Sequence, residues 1–555
     1  MKEHLGLFYS LRKTLLLGLL LFPFLGGVKM EAQTFKRYFR NFHTSNPYHF
    51  TVSDLDLNPA FERIVISGSF RADSTSNEAL GYVMETGMDG IEVKGHSLRV
   101  PSFNSHDGFH LGGLAMDEFD RSYIAGSYAD NLGQPSSTNE KTISGLESDG
   151  KLRWSKMEGS RHFQDIVYDA DDQSLIAVGA PDGPWPGTQP LAAVKVDLEG
   201  KTLAYKSLYD PTISKSVKII DLPDNRGYFL VALYDTAGLK APYVVYLSPS
   251  LKVQWSVIYT DFVREYEVFD ASFHPDGVLG ISGSSYDPIT EETYAFLMGV
   301  TPGAKLNFCH RFKVPKQEKT QGFGLSYVQH PDYPSLDGFV IGGAYSPLLS
   351  SVRRQSMVIH TDLHGRPTYV WDYSALPEQD FEQDEVARRV LFLKDRNMFV
   401  VAGEYASFFQ GKQLERQIWM AKVKIRDGEL LDGGSCSAPL SLVMKQDQLS
   451  PYKAGEDTVG GGLQNFTYAT GEVFFTGESC SYDATPDVLR LNSVDPIKLK
   501  AEAEKIEVLD LSGRLLLSVS VQDQNWREGL RPGFYLLKYS KGNQILGAEK
   551  IVIRP

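Results

Sequence analysis

Along most of this chain apolar and polar residues alternate in short runs, and the runs are cut by Gly, Pro, Asn and Asp. Alternation with a period of two marks half-buried β-strands, and the interrupting residues mark the turns between them. One apolar phrase with a small residue at its centre returns seven times. It is Ile-Ser-Gly-Ser-Phe at Ile66 to Phe70, Ile-Ala-Gly-Ser-Tyr at Ile124 to Tyr128 and Ala-Val-Gly-Ala at Ala177 to Ala180. It continues as Leu-Val-Ala-Leu-Tyr at Leu230 to Tyr234, with Ala232 in the Gly place, and Ile-Ser-Gly-Ser at Ile281 to Ser284. Ile-Gly-Gly-Ala-Tyr at Ile341 to Tyr345 and Val-Ala-Gly-Glu-Tyr at Val401 to Tyr405 complete the set. A period of about 50 to 60 residues signals a propeller or a stacked array.

A second element recurs at a fixed place in each unit. Its fullest copy is Leu146 to Trp154, with relatives at Val196 to Leu203, Leu247 to Trp255, Val300 to Phe308 and Thr361 to Tyr369. Asp-Gly or Glu-Gly between alternating runs is a tight hairpin, because Gly accepts the positive φ the turn demands. The Lys or Arg after the turn reads as a solvated edge charge, and the aromatic beyond it as packing between neighbouring units. A further strand and turn precede each Gly phrase, as in Leu114 to Asp120 and Ala271 to Gly277. Each unit is thus a four-stranded antiparallel meander, which cannot bury both its faces alone. Stacking seven of them face to face in a ring solves this, and Gly at the centre of the second strand suits a crowded hub. Phe35 to Arg40 resembles an outer strand and is expected to pair with the strand near Ile418 to Ile425. An open β-solenoid, or a ring of six or eight blades, would share the same repeat.

The fold class expected is therefore all-β: a seven-bladed β-propeller over 34–438, a linker or small β-subdomain over 439–485, and a small Ig-like β-sandwich over 486–555. Hydrophobic residues at 42% and charged residues at 23% are ordinary for a globular chain and do not point to disorder. A net charge of −13 with no sustained Lys/Arg block argues against nucleic-acid binding. Arg12 and Lys13 followed by the apolar run Thr14 to Leu25 have the anatomy of a secretory signal over residues 1–33, and a retained N-terminal anchor is the alternative. No later run is long enough to span a bilayer, so no transmembrane segment is expected in the mature form. With only Cys309, Cys436 and Cys480, a disulfide scaffold is ruled out, although Cys436 and Cys480 could pair with each other. Cys309 falls in an outer strand and suits a small apolar role.

The last ~70 residues carry Asp510-Leu-Ser-Gly-Arg514, Pro532-Gly-Phe-Tyr535 and a closing Lys550-Ile-Val-Ile553. This tail resembles the C-terminal sorting domain of substrates of the type IX (Por) secretion system of Bacteroidetes. The matching residues include Asp510, Gly513, Pro532, Gly533, Tyr535 and Lys550. The resemblance implies Sec delivery to the periplasm and recognition by the outer-membrane type IX machinery. It also implies removal of the domain by a sortase-like peptidase, leaving the protein secreted or on the cell surface. The Tyr-Pro-Asn-Pro-like opening usual in that family is degenerate here, at Leu489 to Pro496. Asp73-Ser-Thr75, Asp235-Thr-Ala237 and Asp457-Thr-Val459 match the O-glycosylation pattern of exported Bacteroidetes proteins.

Catalytic signatures are absent from the sequence: no nucleophile elbow, no His-Glu-x-x-His, no phosphate loop. Asp169-Ala-Asp-Asp172 and Asp221-Leu-Pro-Asp224 fall in first turns, where Asp satisfies backbone, and neither has the spacing of a calcium loop. No Cys/His cluster has zinc spacing, and no metal or cofactor is expected. His106 and His110 read as loop residues around Asp107-Gly108. Arg388-Arg389 could line the axial opening or form a solvated pair. These readings make the chain a binding or scaffolding module for a surface glycan or protein, with contacts in the insertions Arg71 to Leu80, Asn131 to Thr142 and Ser346 to Gln355. The alternative is a secreted enzyme acting on polysaccharide or peptide. Three or more charged residues converging on the axis with shifted pKa values would favour the enzyme.

Overall fold

A computed structural model describes residues 35–481 apart from 42–48, 59–62, 72–78, 88–92, 100–107, 130–138, 159–161, 181–190, 209–212, 237–238, 316, 331–332, 348–353, 373–381, 395–397, 410–411, 427–428, 431–437, 440–442, 447–449, 453–463, 466–468 and 473–474. It also describes residues 505–553 apart from 510–514, 521–532 and 542–543. The chain divides into two compact units, Met1–Tyr482 and Asp483–Pro555. The secretory signal expected over residues 1–33 lies outside the described residues.

In the first unit the alternating runs become seven four-stranded antiparallel sheets among the described residues. Sheets 1 to 6 span 49–99, 108–158, 162–208, 213–260, 265–313 and 317–372, each from four consecutive strands. Sheet 7 takes Glu382–Leu393, Met398–Phe409 and Lys412–Arg426. Its fourth strand is Phe35–Asn41, antiparallel to the third, with Phe35 opposite Lys422 and Phe39 opposite Ile418. The N-terminal pairing expected from the sequence is thus observed. The first strands are neighbours in order from sheet 1 to sheet 7, and the first strand of sheet 7 lies beside that of sheet 1. One apolar cluster joins Phe50, Ile64 and Tyr82 of sheet 1 to Leu393, Val400 and Ile418 of sheet 7. No helix among the described residues is long and apolar enough to cross a membrane.

The recurring Gly has a more local cause than crowding between sheets. Every first strand carries a bulge, a point where one extra residue shifts the register against the second strand. The residue just before the bulge faces the small residue of the phrase each time. The pairs are Val52 with Gly68, Leu111 with Gly126, Phe163 with Gly179, Ser216 with Ala232, Val268 with Gly283, Gly322 with Gly343 and Ala387 with Gly403. The bulge pushes a carbonyl of the same sheet toward that site. A Cβ at Gly68 would lie 1.8 Å from the Thr51 oxygen, and one at Gly283 2.0 Å from the Glu267 oxygen.

The Asp-Gly turns close as expected, between the third and fourth strands. In sheet 2 the Gly150 amide donates to the Glu147 carbonyl at 2.8 Å and Gly150 has φ 77°. The same turn in sheets 4 and 5 puts Leu251 and Ala304 in the left-handed region. The aromatic beyond the turn reaches the next sheet. Trp154 Nε1 donates to the Leu198 carbonyl at 2.8 Å, and Trp255 Nε1 to that of Pro302 at 3.0 Å. Cys309 is buried in a fourth strand.

The described residues of 439–485 pair with the sheets of the first unit and do not form the linker or small β-subdomain expected of them. The segment travels along the outer edges of the sheets in reverse order. Ala438–Pro439 pairs with the fourth strand of sheet 6, Val443–Gln446 with that of sheet 5 and Ser450–Tyr452 with that of sheet 4. Gln464–Asn465 then pairs with sheet 2, Ala469–Glu472 with sheet 1, and Phe475–Ser481 with the N-terminal strand of sheet 7. A fourth strand left open presents a row of unpaired N–H and C=O groups, and the strap covers them. Pairings this short leave little alternation to read in the sequence.

The second unit contains one antiparallel sheet among the described residues, ordered 515–520, 505–509, 533–541, 544–553. Strands 505–509 and 515–520 flank the turn expected at Ser512-Gly513, and strands 533–541 and 544–553 that expected at Ser540 to Asn543; residues 510–514 and 542–543 lie outside the described ones. A second layer, which a sandwich requires, is not among those residues.

Candidate functional site between the first strands

The residue immediately after each bulge lies at an equivalent place in its sheet. From sheet 1 to sheet 7 these are Asp54, Gly113, Asp165, Lys218, Asp270, Gly324 and Arg389. Five charged side chains are thereby brought together. Lys218 Nζ lies 3.1 Å from Asp165 Oδ1 and 3.5 Å from both Asp54 oxygens. Arg389 Nε is 3.7 Å from Asp54 Oδ1 and its Nη1 is 3.6 Å from Asp270 Oδ2. Arg389 Nε also donates to the Ser53 carbonyl at 2.7 Å.

The carboxylates have a second task. The first strand of each sheet is an inner edge whose amides need acceptors. Asp54 Oδ2 accepts from the Leu114 amide at 3.0 Å, Asp165 Oδ2 from Ile219 at 2.7 Å and Asp270 Oδ2 from Leu325 at 2.9 Å. Each bond joins one sheet to the next. Ser326 Oγ likewise accepts from Phe392 at 3.0 Å, and Glu404 Oε1 from Val52 at 3.1 Å across the join of sheets 7 and 1.

Burial raises Asp165 and Asp270 above the usual carboxylate range, against the pull of Lys218 and Arg389. Burial also opposes the charge of Lys218, but Asp165, Asp54 and Asp270 hold its ammonium above the ordinary lysine value. Three carboxylates share two cations, so the ammonium is the fixed charge and Asp165 and Asp270 carry the deficit.

Above this floor opens a cavity of 640 Å³, within the range of small-molecule sites. Tyr168, Phe273, Tyr327 and Phe392 line it together with aliphatic residues of the first strands. Asp56 and Asp221 stand on its wall. Asp56 accepts the amides of Leu57 at 2.8 Å and Met116 at 3.1 Å, and burial, reinforced by Asp54, still lifts it to about 7. Asp221 is lifted to about 7 by burial and then by Asp169 and Asp171.

The two arginines considered together in the sequence part company. Arg389 belongs to the floor. Arg388 bonds Glu404 at 3.2 Å, and its guanidinium sits 4.5 Å above the Phe323 ring. Neither is a freely solvated charge: each is held by carboxylates, Arg388 by Glu404 and Arg389 by Asp54 and Asp270. The turn reading of Asp169 to Asp172 agrees with the structure: Asp169 Oδ1 accepts the amides of Asp171 and Asp172, each at 3.1 Å. Lys195 Nζ lies 2.5 Å from Asp172 and 3.4 Å from Asp169. His110 sits in a strand and not a loop, and burial lowers it to about 4. His106 lies outside the described residues. His274, Asp276 and Asp337 approach one another, but both His274 nitrogens are occupied. Nδ1 accepts the Asp276 amide at 3.2 Å and Nε2 pairs with the Val328 carbonyl at 3.0 Å, which leaves no lone pair for a metal.

Of the tail residues, Gly533 pairs with Ile553, Tyr535 with Ile551 and Lys550 with Leu536 in the last hairpin. Asp510, Gly513, Pro532 and Cys436 lie outside the described residues, and Cys480 stands opposite Lys36. Most of the three insertions also lie outside them. The pocket floor was missed in the sequence because its members share no local motif. The usable signal was the Gly phrase, whose partner fixes the position of each bulge.

No family model matches the chain, and no curated relative does. Among solved structures it is similar to a subtype N11 neuraminidase-like protein of A/flat-faced bat/Peru/033/2010, at 9% identity over 57% of this chain and 88% of that one, TM-score 0.32. It is also similar to Drosophila Plexin A in complex with Semaphorin 1b, at 7% identity over 69% and 86%, TM-score 0.36. A Trypanosoma rangeli sialidase mutant matches at 8% identity over 69% and 57%, TM-score 0.32.

Proposed function

We propose that the first unit is a seven-bladed β-propeller that binds a small ligand in the cavity between its first strands. The observation that carries this is the cavity of 640 Å³, walled by aromatic rings above a floor of fixed charges. Charged residues do converge there, the condition set for an enzyme. However, Asp54, Asp165 and Asp270 are committed to inter-sheet amides and to Lys218 and Arg389, so they hold the walls in place and are not free to act on a substrate. The cyclic order of the first strands supports the propeller reading. The N-terminal apolar run and the closing motifs of the tail support export by the type IX route, with residues 486–555 as an Ig-like sorting domain. A second reading, a secreted enzyme acting on polysaccharide or peptide, draws on Asp56 and Asp221, both near 7 and so in the range of general acid–base groups.

The test of the binding reading is a thermal-shift and calorimetric screen of the full chain against neutral sugars, amines and carboxylates. Ligands should stabilise the protein and fail to stabilise Val167→Trp, which fills the cavity from a partly exposed wall position. Binding untouched by that substitution would place the site elsewhere. Turnover of a glycan or peptide, abolished by Asp221→Asn, would favour the enzyme. For export, cells carrying the chain without residues 486–555 should retain the propeller inside the outer membrane, and its arrival outside would end the sorting proposal.

A further inference from the structure

We infer that the pocket takes an organic cation, a protonated amine or quaternary ammonium, seated against its aromatic wall. The inference rests on reading the cavity as a binding site. The cavity is lined by Asp54, Asp56, Asp221 and Asp270 against Lys218 and Arg389, with Asp165 beside Lys218 beneath it. The two cations are taken by Asp54, Asp165 and Asp270. Asp56 and Asp221 remain, and no cation stands within ion-pair distance of either among the described residues. A site with surplus carboxylate and an aromatic lining suits a positive charge through both, since the face of an aromatic ring is the negative end of its quadrupole. An anionic ligand would meet the same surplus as repulsion.

The state of the two carboxylates supports this. Burial holds both near 7, so each gives up its proton to solvent as a cation arrives and lowers that value. The charged groups acting on Asp56 are Asp54 and Lys218, and those acting on Asp221 are Asp169, Asp171 and Lys195. Like charges dominate around Asp221, and Asp54 is nearer in effect to Asp56 than Lys218 is. The amine could belong to a free small molecule or to a lysine of a peptide, and the probes distinguish these.

The experiment is calorimetry on the full chain with choline, with its neutral isostere 3,3-dimethylbutanol, with N-acetyl-lysine methylamide and its norleucine counterpart, and with hexanoate. Choline or the lysine derivative should bind at least tenfold more tightly than its neutral isostere, and hexanoate should not bind. Choline keeps its charge at every pH, so a rise in its affinity between pH 6 and 8 reports on the carboxylates. Asp221→Asn, at the end of a strand and only partly buried, should fold and weaken the cation about tenfold. Asp56→Asn serves as a second variant with its fold checked by circular dichroism. Equal binding of the neutral isostere overturns the inference and leaves the binding site standing. Binding of any probe that Val167→Trp leaves unchanged overturns both.

Discussion

Replacing Lys218 with Met removes the ammonium on which the floor depends and keeps most of its aliphatic volume. It leaves Asp165 Oδ1 and both Asp54 oxygens, 3.1 and 3.5 Å from the lost nitrogen, without their cation. At an effective dielectric constant near 20 a contact at such distances is a gross attraction of about 5 kcal/mol. The ammonium also no longer has to be desolvated, which offsets part of that. Removing one partner of a buried pair costs about 3–5 kcal/mol, and the Lys218 side chain is 22% exposed, so the low end, about 3 kcal/mol, is expected. The loss depends on pH in a defined direction. Without the cation Asp165, already raised by burial, rises further above the value of the unfolded chain. Below that raised value it is protonated and costs little, and above it Asp165 is a buried unpaired charge. Urea unfolding followed through the buried Trp419 and Trp371 should therefore show about 3 kcal/mol lost at pH 8 and about 1 kcal/mol at pH 5. A loss below about 1 kcal/mol at pH 8, or the same loss at both pH values, would refute the argument that the floor is an ionic keystone.

Three further outcomes are expected. Asp56 and Asp221 have folded values near 7 against an ordinary 3.8; their contribution to stability is complete below about 4 and is lost as pH rises through about 7, so the unfolding midpoint in urea should fall between pH 5 and pH 8 and then level off. Gly68→Ala places a Cβ 1.8 Å from the Thr51 carbonyl oxygen and should cost about 3 kcal/mol, whereas Gly303→Ala, whose nearest neighbour is 3.9 Å away, should stay within about 0.5 kcal/mol by the same urea unfolding. Deleting residues 438–481 uncovers the fourth strands of six sheets and should make the chain associate with concentration in light scattering more than the full chain does; unchanged association and undiminished stability would show that the strap is dispensable.

Much of the architecture was legible because it is repetitive. The Gly phrases located seven second strands, the Asp-Gly turns located the hairpins after them, and the resemblance of Phe35 to Arg40 to an outer strand located the closing pair. The strap was not legible, since its strands are two to seven residues long and their partners are distant in sequence. The floor was hidden for a different reason. Asp54, Asp165, Lys218, Asp270 and Arg389 differ in type, and only the register of their bulges makes them equivalent. Treating Arg388 and Arg389 as one pair, lining the axial opening or solvated, failed at this point: Arg389 lines the cavity while Arg388 bonds Glu404, because a bulge gives consecutive residues unrelated directions.

The order of residues around the floor explains how one set of positions serves both fold and pocket. Carboxylates occupy sheets 1, 3 and 5, and Gly113, Lys218 and Gly324 occupy the sheets between them, so no two carboxylates are on adjacent sheets. The glycines are demanded by space. A Cβ at Gly113 would lie 2.6 Å from Asp165 Cα, and one at Gly324 2.7 Å from the Arg388 carbonyl oxygen. Each carboxylate thus reaches past its neighbour's backbone to accept that sheet's amide, and the cations fill the gaps. An odd number of sheets cannot alternate all the way round, and the mismatch falls on sheet 7, where Arg389 lies within 3.7 Å of Asp54 and 3.6 Å of Asp270. Uniform repeats would give a symmetrical floor with nothing to tell one ligand orientation from another. Here the repeat keeps the backbone regular while the side chains break it, so charge is placed on chosen sectors of a rigid wall, and the unbalanced Asp56 and Asp221 face the cavity from sheets 1 and 4.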